Sequence, residues 1–135
     1  MITLSQNGTL LHMIYRREDI TKERVDIAPE EEFLQVSCFA MDKGKTFKPH
    51  KHIEQIRTSD IAQESWCVVQ GRVEAIYYNL DDEIMQRMVL NAGDISITFR
   101  GGHNYKSLED NTLVYEYKTG PYQGQALDKE FIDEN

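Results

Sequence analysis

Apolar residues in this chain recur largely at alternate positions, in short runs broken by glycine, asparagine and aspartate. Phe33 to Met41 is a β-prone apolar run, and Asp42-Lys43-Gly44-Lys45 supplies a turn after it. Thr46 to His52 reads as a second strand, with Pro49 where a ladder bond is absent or on a sheet edge. Glu64 to Gln70 is rich in Trp and Val, and Gly71-Arg72 links it tightly to Val73 through Asn79. Asp81-Asp82-Glu83 marks a hairpin tip from which Ile84 to Leu90 returns. After the turn Asn91-Ala92-Gly93-Asp94, Ile95 to Phe99 alternates with Ser96 and Thr98, and Leu113 to Lys118 is the last clear strand. Strands at this spacing with glycine-bearing turns predict an all-β sandwich or barrel.

Before Phe33 the pattern is mixed. Leu10 to Tyr15 predicts an additional strand, with His12 a surface or amino-terminal strand residue. Asp19 is placed to cap a short helix through Val25. Pro29 followed by Glu30, Glu31 and Glu32 predicts one helical turn with its acids at the positive end. In the polar tail from Gly120 to Asn135, Tyr122, Leu127, Phe131 and Ile132 are expected to pin the chain to the body. A chain of 135 residues suits one domain, divided here into residues 1–32, a barrel over 33–118 and a tail over 119–135.

The net charge of −8 disfavours nucleic acid and anionic membranes as partners, since both reward a basic patch. Lys43, Lys45, Lys48 and Lys51 stand out within this acidic chain, either as a solvated turn or as a positive rim for an anionic substrate. Cys38 and Cys67 each lie in an apolar run without Cys-x-x-Cys spacing, and are expected to be reduced, buried thiols. The first residues lack the layout of a signal peptide, and no run reaches membrane-spanning length, so a cytoplasmic location is expected.

The candidate chemistry lies in Phe47-Lys48-Pro49-His50-Lys51-His52. On a strand, His50 and His52 share a face, and their ring nitrogens can meet at one ion. Glu64 can bring a carboxylate from the next strand, and His103 follows Gly101-Gly102. Three imidazoles and one carboxylate suit a divalent first-row metal: Fe, Mn, Ni, Co or Zn. Glu54 is a competing carboxylate, because Glu64 comes twelve positions after His52.

The run Gly44…His50-x-His52…Glu64…Gly71, then Gly93-Asp94…Gly101-Gly102-His103, resembles the two signature motifs of the cupin superfamily. The resemblance implies a double-stranded β-helix (a jelly-roll barrel) with His50, His52, Glu64 and His103 as ligands to one metal. Two departures stand out. The segment Ile53 to Gln63 is inserted before Glu64, and Phe99 occupies the usual proline position of the second motif. More narrowly, Gln63-Glu64…Gly71, Gly93-Asp94, Gly101-Gly102-His103, Glu116-x-Lys118 and Gly120-Pro121-Tyr122 are similar to small single-domain bacterial cupins. Several of those are encoded with surface-polysaccharide or nucleotide-sugar genes, which implies a sugar-related context and a homodimer.

Around such a centre, Arg57 could clamp a phosphate or carboxylate, and Tyr105 shares the parity of His103. Glu116 and Lys118 share one face of the last strand, as acid–base or binding groups if inward and as a solvated face if outward. Two functional classes follow. One is a metal-dependent isomerase or epimerase acting on a sugar or other small oxygenated metabolite, with an Fe(II) dioxygenase as its variant. The other is a non-catalytic cupin that binds or senses a small ligand.

Overall fold

The computed structural model describes residues 1–133. Its first element is a hairpin absent from the expectation above. Strands β1 (Ile2–Gln6) and β2 (Thr9–Tyr15) pair antiparallel around Asn7-Gly8. Both turn residues have positive φ, 50° and 80°, a backbone that Asn and Gly tolerate and that matches the twist of the flanking strands. The remaining strands are β3 (Arg24–Asp26), β4 (Ser37–Phe39), β5 (Glu64–Gln70), β6 (Arg72–Tyr78), β7 (Ile84–Asn91), β8 (Ile95–Thr98), β9 (His103–Ser107) and β10 (Leu113–Lys118). A short helix, α1 (Gln125–Asp128), lies in the tail.

The protein is all-β, as the alternation predicts. A five-stranded sheet runs β1-β2-β8-β5-β10, a three-stranded sheet runs β7-β6-β9, and β3-β4 form a two-stranded ribbon. The pairings between these strands are antiparallel. The larger sheet ends at β10 and the smaller at β9, so the described sheets do not join into a closed barrel.

Two apolar layers follow from strand parity. Ile14 and Val68 of the larger sheet meet Val73, Ala75 and Tyr77 of β6 and Leu90 of β7. Burying each large aliphatic side chain here contributes about 1.5–3 kcal/mol. On the opposite face of the larger sheet, Met13, Tyr15, Ile97 and Phe99 pack with Ile27 and Ala28, and Val25, Leu34, Val36 and Cys38 cover them. Strand β2 is therefore buried on both faces. His12 is accordingly not a surface residue; it is fully buried in the strand predicted for it.

Three predicted elements differ from the structure. The helix from Asp19 is replaced by a single 3-10 turn over Arg17–Asp19, followed by β3. Asp19 turns its carboxylate back to accept from the Arg16 N–H at 2.8 Å, and Val25 pairs with Cys38 across the ribbon. The strand over Phe33 to Met41 shortens to Ser37–Phe39. Gln35 Nε2 donates to the carbonyls of Pro29 and Glu32, and the Leu34 N–H donates to Gln63 Oε1, so that stretch is held by side chains instead of a ladder. Where one helical turn was expected at Pro29, a hydrogen-bonded turn forms without a helix, the Glu32 N–H donating to the Pro29 carbonyl.

The third difference is the largest. Thr46 to His52 is not a strand, and no strand occurs between Phe39 and Glu64. Residues 39–62 form an exposed arm, because no neighbouring strand offers them a ladder here and Pro49 lacks an N–H. In the tail only Ile132 of the four apolar residues is substantially covered; Tyr122, Leu127 and Phe131 are exposed. Among the described residues no helix is long and apolar enough to cross a membrane.

Candidate functional site

Five inward-facing positions of the larger sheet converge where both sheets end. The β5–β8 register sets Glu64 opposite Thr98 and Trp66 opposite Ser96, while the β2–β8 register sets His12 opposite Thr98. From the smaller sheet, β9 supplies His103 and Tyr105, paired across to Tyr77 and Ala75 of β6. These side chains fill the space between the sheets beside β9 and β10, the last strands of the two described sheets.

A continuous hydrogen-bond relay links them. His12 Nε2 lies 2.9 Å from the Tyr78 carbonyl, which can only accept, so the ring proton sits on Nε2. Burial, partly offset by that carbonyl bond, lowers the His12 pKa to about 4 and keeps the ring neutral at pH 7. His12 Nδ1 must then accept from the Thr98 hydroxyl, 3.0 Å away. With its only hydrogen committed, Thr98 Oγ1 accepts from His103 Nδ1–H at 3.0 Å. His103 Nε2 therefore faces Glu64 Oε1, at 3.1 Å, with a lone pair unless a cation lies between them. That cation is a proton, giving an imidazolium–carboxylate pair, or a metal ion. Fixing one ring nitrogen so that the other is presented is how proteins orient metal-ligating or catalytic imidazoles.

Around this pair the groups differ in exposure and charge. Burial pushes the Glu64 carboxyl up, but the hydrogen bond and charge of His103 outweigh it and hold its pKa well below the usual carboxylate range. The indole N–H of Trp66 donates to Glu64 Oε1 at 2.9 Å and to Glu116 Oε1 at 3.2 Å. Trp66 stacks on Tyr105 with ring centroids 4.0 Å apart. Burial raises the Tyr105 pKa well above 10, so its phenol stays protonated and hydrogen-bonds with Ser96 Oγ, which also accepts from Tyr77. Gly101 and Gly102 let the chain pass close behind the relay. A Cβ on Gly101 would lie 2.6 Å from the Tyr78 carbonyl and 3.3 Å from His12 Nε2.

Comparison with known protein families, curated proteins and solved structures returns no match.

The predicted site residues divide into two groups. Glu64, His103 and Tyr105 meet as described, and Glu116 joins them at the solvent-exposed rim through Trp66. Lys118 is on the same inward face but reaches Asp128, 3.6 Å away, and lies over the Tyr122 ring. His50, His52, Arg57 and Glu54 all lie on the exposed arm. The two arm imidazoles are neighbours, with ring centroids 5.7 Å apart and an edge-to-face tilt of 80°. Among the described residues, no three His, Cys, Asp or Glu side chains converge as a metal cage, so this arrangement brings two of the four expected ligands together. Thr98, His12, Trp66 and Ser96 join the site without having been singled out for it. Their signal was polar side chains at inward positions of apolar strands. The thiols of Cys38 and Cys67 are free and partly buried, with that of Cys67 pushed up by burial.

Proposed function

We propose that this chain is a cupin-type protein, a jelly roll completed by its arm, whose Glu64–His103 pair acts on a sugar or related oxygenated metabolite by proton transfer, as an isomerase or epimerase. The observation that carries this reading is the relay Tyr78 carbonyl–His12–Thr98–His103–Glu64. It fixes the imidazole in the one tautomer that presents Nε2 to a carboxylate, both side chains being partly exposed.

Within the pair, a proton held between His103 Nε2 and Glu64 would be placed to donate to a substrate oxygen that displaces the carboxylate. Tyr105, kept neutral by burial, offers hydrogen bonding without becoming a competing base. The same gap suits a divalent ion held by His103 Nε2 and Glu64, with His50 and His52 as the further ligands the resemblance implies. Bound there, such an ion would polarise a carbonyl as a Lewis acid. Glu64 and Glu116, joined through the Trp66 indole N–H, give the site an acidic character for a polar ligand.

A non-catalytic binding protein is the alternative, supported by the Trp66–Tyr105 stack, whose aromatic surface suits the C–H face of a sugar ring. One experiment separates the two. The purified protein is assayed for bound metals, then titrated with a panel of nucleotide sugars in heavy water. Deuterium entering the sugar carbon skeleton with wild type, and not with His103→Asn or Glu64→Gln, supports catalysis. Binding without exchange supports the binding protein, and no binding of any sugar overturns the assignment of substrate class.

A further inference from the structure

The tail after β10 is a feature the site description leaves unexplained. Among residues 121–133 only Gly124, Asp128 and Ile132 are partly buried, one at every fourth position. Asp128 meets Lys118 of β10 at 3.6 Å, and the same ammonium lies 4.4 Å from the centre of the Tyr122 ring. Ile132 reaches the other sheet, where its Cδ1 occupies the space a Cβ on Gly102 would take. Gly102 does not have the positive φ that calls for glycine, so what its missing side chain provides is a seat for Ile132. The two contacts flank the reacting pair. Lys118 stands in register with Glu64 across β10 and β5, and Gly102 immediately precedes His103 at the start of β9. The tail therefore runs from the last strand of the larger sheet to the smaller sheet, past the Glu64–His103 gap. With it in place, the Glu64 and His103 side chains keep 12% and 24% of their exposure.

We propose that residues 120–132 form a strap that gates the Glu64–His103 pair. It is docked when Ile132 fills the Gly102 seat and Asp128 holds Lys118, and it swings clear from Gly124 to admit a ligand. Its near end is fixed and its far end lightly held. Thr119 is tied to Gln63, its N–H donating to the Gln63 carbonyl and its hydroxyl accepting the Gln63 N–H, both at 3.0 Å. Beyond Thr119, among the described residues, the backbone bonds of the tail are local, from Leu127 to Gly124 and from Lys129 to Gln125. Leu127 and Phe131 are 78% and 79% exposed and add little to docking. One partly exposed ion pair and one aliphatic contact can let go without disturbing the strands behind them, as the lids of binding sites do. Gly124 has a φ of 98° and open space where a Cβ would stand, so the chain turns there without a clash. Closed, the strap screens the gap from water; open, it lets a ligand in and a product out. Its part in turnover rests on the proposed reading of Glu64 and His103 as the reacting groups, whereas the gate itself does not.

Trp66 reports on the gap directly, because it is the chain's one tryptophan and its indole N–H reaches Glu64 at 2.9 Å. In the full chain, Asp128→Ala/Ile132→Asp removes both fastenings. Acrylamide quenching of Trp66 should then rise about twofold, with the circular dichroism of the sheets unchanged. The opposite variant carries Gly102→Cys and Ile132→Cys in a Cys38→Ser/Cys67→Ser background. Oxidised with diamide, its two thiols should join and hold the strap closed, lowering quenching below wild type, and dithiothreitol should reverse this. Trypsin cleavage after Lys129 follows the strap itself, fast in the released variant and slow in the locked one. Unchanged quenching in a variant whose tail trypsin cuts freely overturns the gate, and cleavage of wild type as fast as the released variant overturns the docking. Neither readout involves a sugar or a metal. In the deuterium-exchange assay, the oxidised lock should abolish exchange and dithiothreitol restore it, and exchange indifferent to the lock overturns the gate. Exchange absent from wild type, with the quenching differences intact, supports the strap and overturns the catalytic reading instead.

Discussion

His12 gives the sharpest test of how the interior is wired. Its ring is fully buried, and burial lowers its pKa from 6.5 to about 4. In the unfolded chain the same imidazole titrates near 6.5. Below that pH the unfolded state takes up a proton that the folded state refuses, so stability must fall as pH falls. The contribution is complete above about 6.5 and exhausted near about 4, where the folded ring also protonates. At about 1.4 kcal/mol per pH unit, the loss across that interval is about 3 kcal/mol. Glu64 does not blur the upper part of the window. Its folded pKa is depressed, so its contribution persists above the unfolded value of 4.5 and is lost only as pH falls toward about 2. Urea unfolding followed by circular dichroism from about pH 7.5 to about 4.5, at constant ionic strength, measures the slope. His12→Leu, with no titrating ring, should be less stable at pH 7 because the Tyr78 carbonyl loses its donor, yet flatter between about 6.5 and 4.5. If wild type and variant lose stability in parallel over that range, the buried neutral imidazole is not the source and the tautomer argument for His103 fails with it.

Three further outcomes follow from named contacts. His103→Ala and Glu64→Gln should each cost about 2–3 kcal/mol, and the double variant less than their sum by about 1–2 kcal/mol; strict additivity in urea unfolding would show that the pair is not coupled. Asp94, buried, accepts from Arg16 Nη1, the Arg17 N–H and the Asn91 N–H at 3.1, 2.9 and 2.9 Å. Asp94→Ala strands these donors between the first hairpin and the β7–β8 turn and should cost about 3 kcal/mol, with a loss under about 1 kcal/mol counting against that role. Trp66 is the chain's one tryptophan and donates to Glu64, so a divalent ion or sugar that displaces that carboxylate should shift its emission, while Glu64→Gln should abolish the response.

The strands of the body were legible because alternation survives wherever one face is buried and the other wet, as in β6, β7 and β8. Strand β1 escaped notice because Ile2, Thr3, Leu4 and Ser5 form a weak pattern; the Asn7-Gly8 turn was the stronger cue. His12 was misread because β2 is covered on both faces, so parity alone does not separate an inward imidazole from an exposed one. The helix over Asp19 failed when its cap was used locally on Arg16 and tertiary pairing claimed Val25. Glu64 and His103 were readable as chemistry from their motifs. The relay behind them was not, since Thr98 and His12 are joined by a sheet register that no local spacing reveals. For the arm, His50-x-His52 had the right alternation for a strand, but alternation does not name the neighbour that would pair with it.

Gln63 has a mechanical consequence. Its buried amide accepts from the Leu34 N–H and donates to Glu32, while its backbone exchanges bonds with Thr119: its N–H donates to the Thr119 hydroxyl, and its carbonyl accepts the Thr119 N–H. These bonds fall between the arm and Glu64, so Gln63 works as a strain relief. Tugging on residues before it is stopped one position short of the carboxylate. Motion of the arm is thereby uncoupled from the site, so amides of residues 50–60 should exchange hydrogen quickly while those of β5 keep the protection of the core.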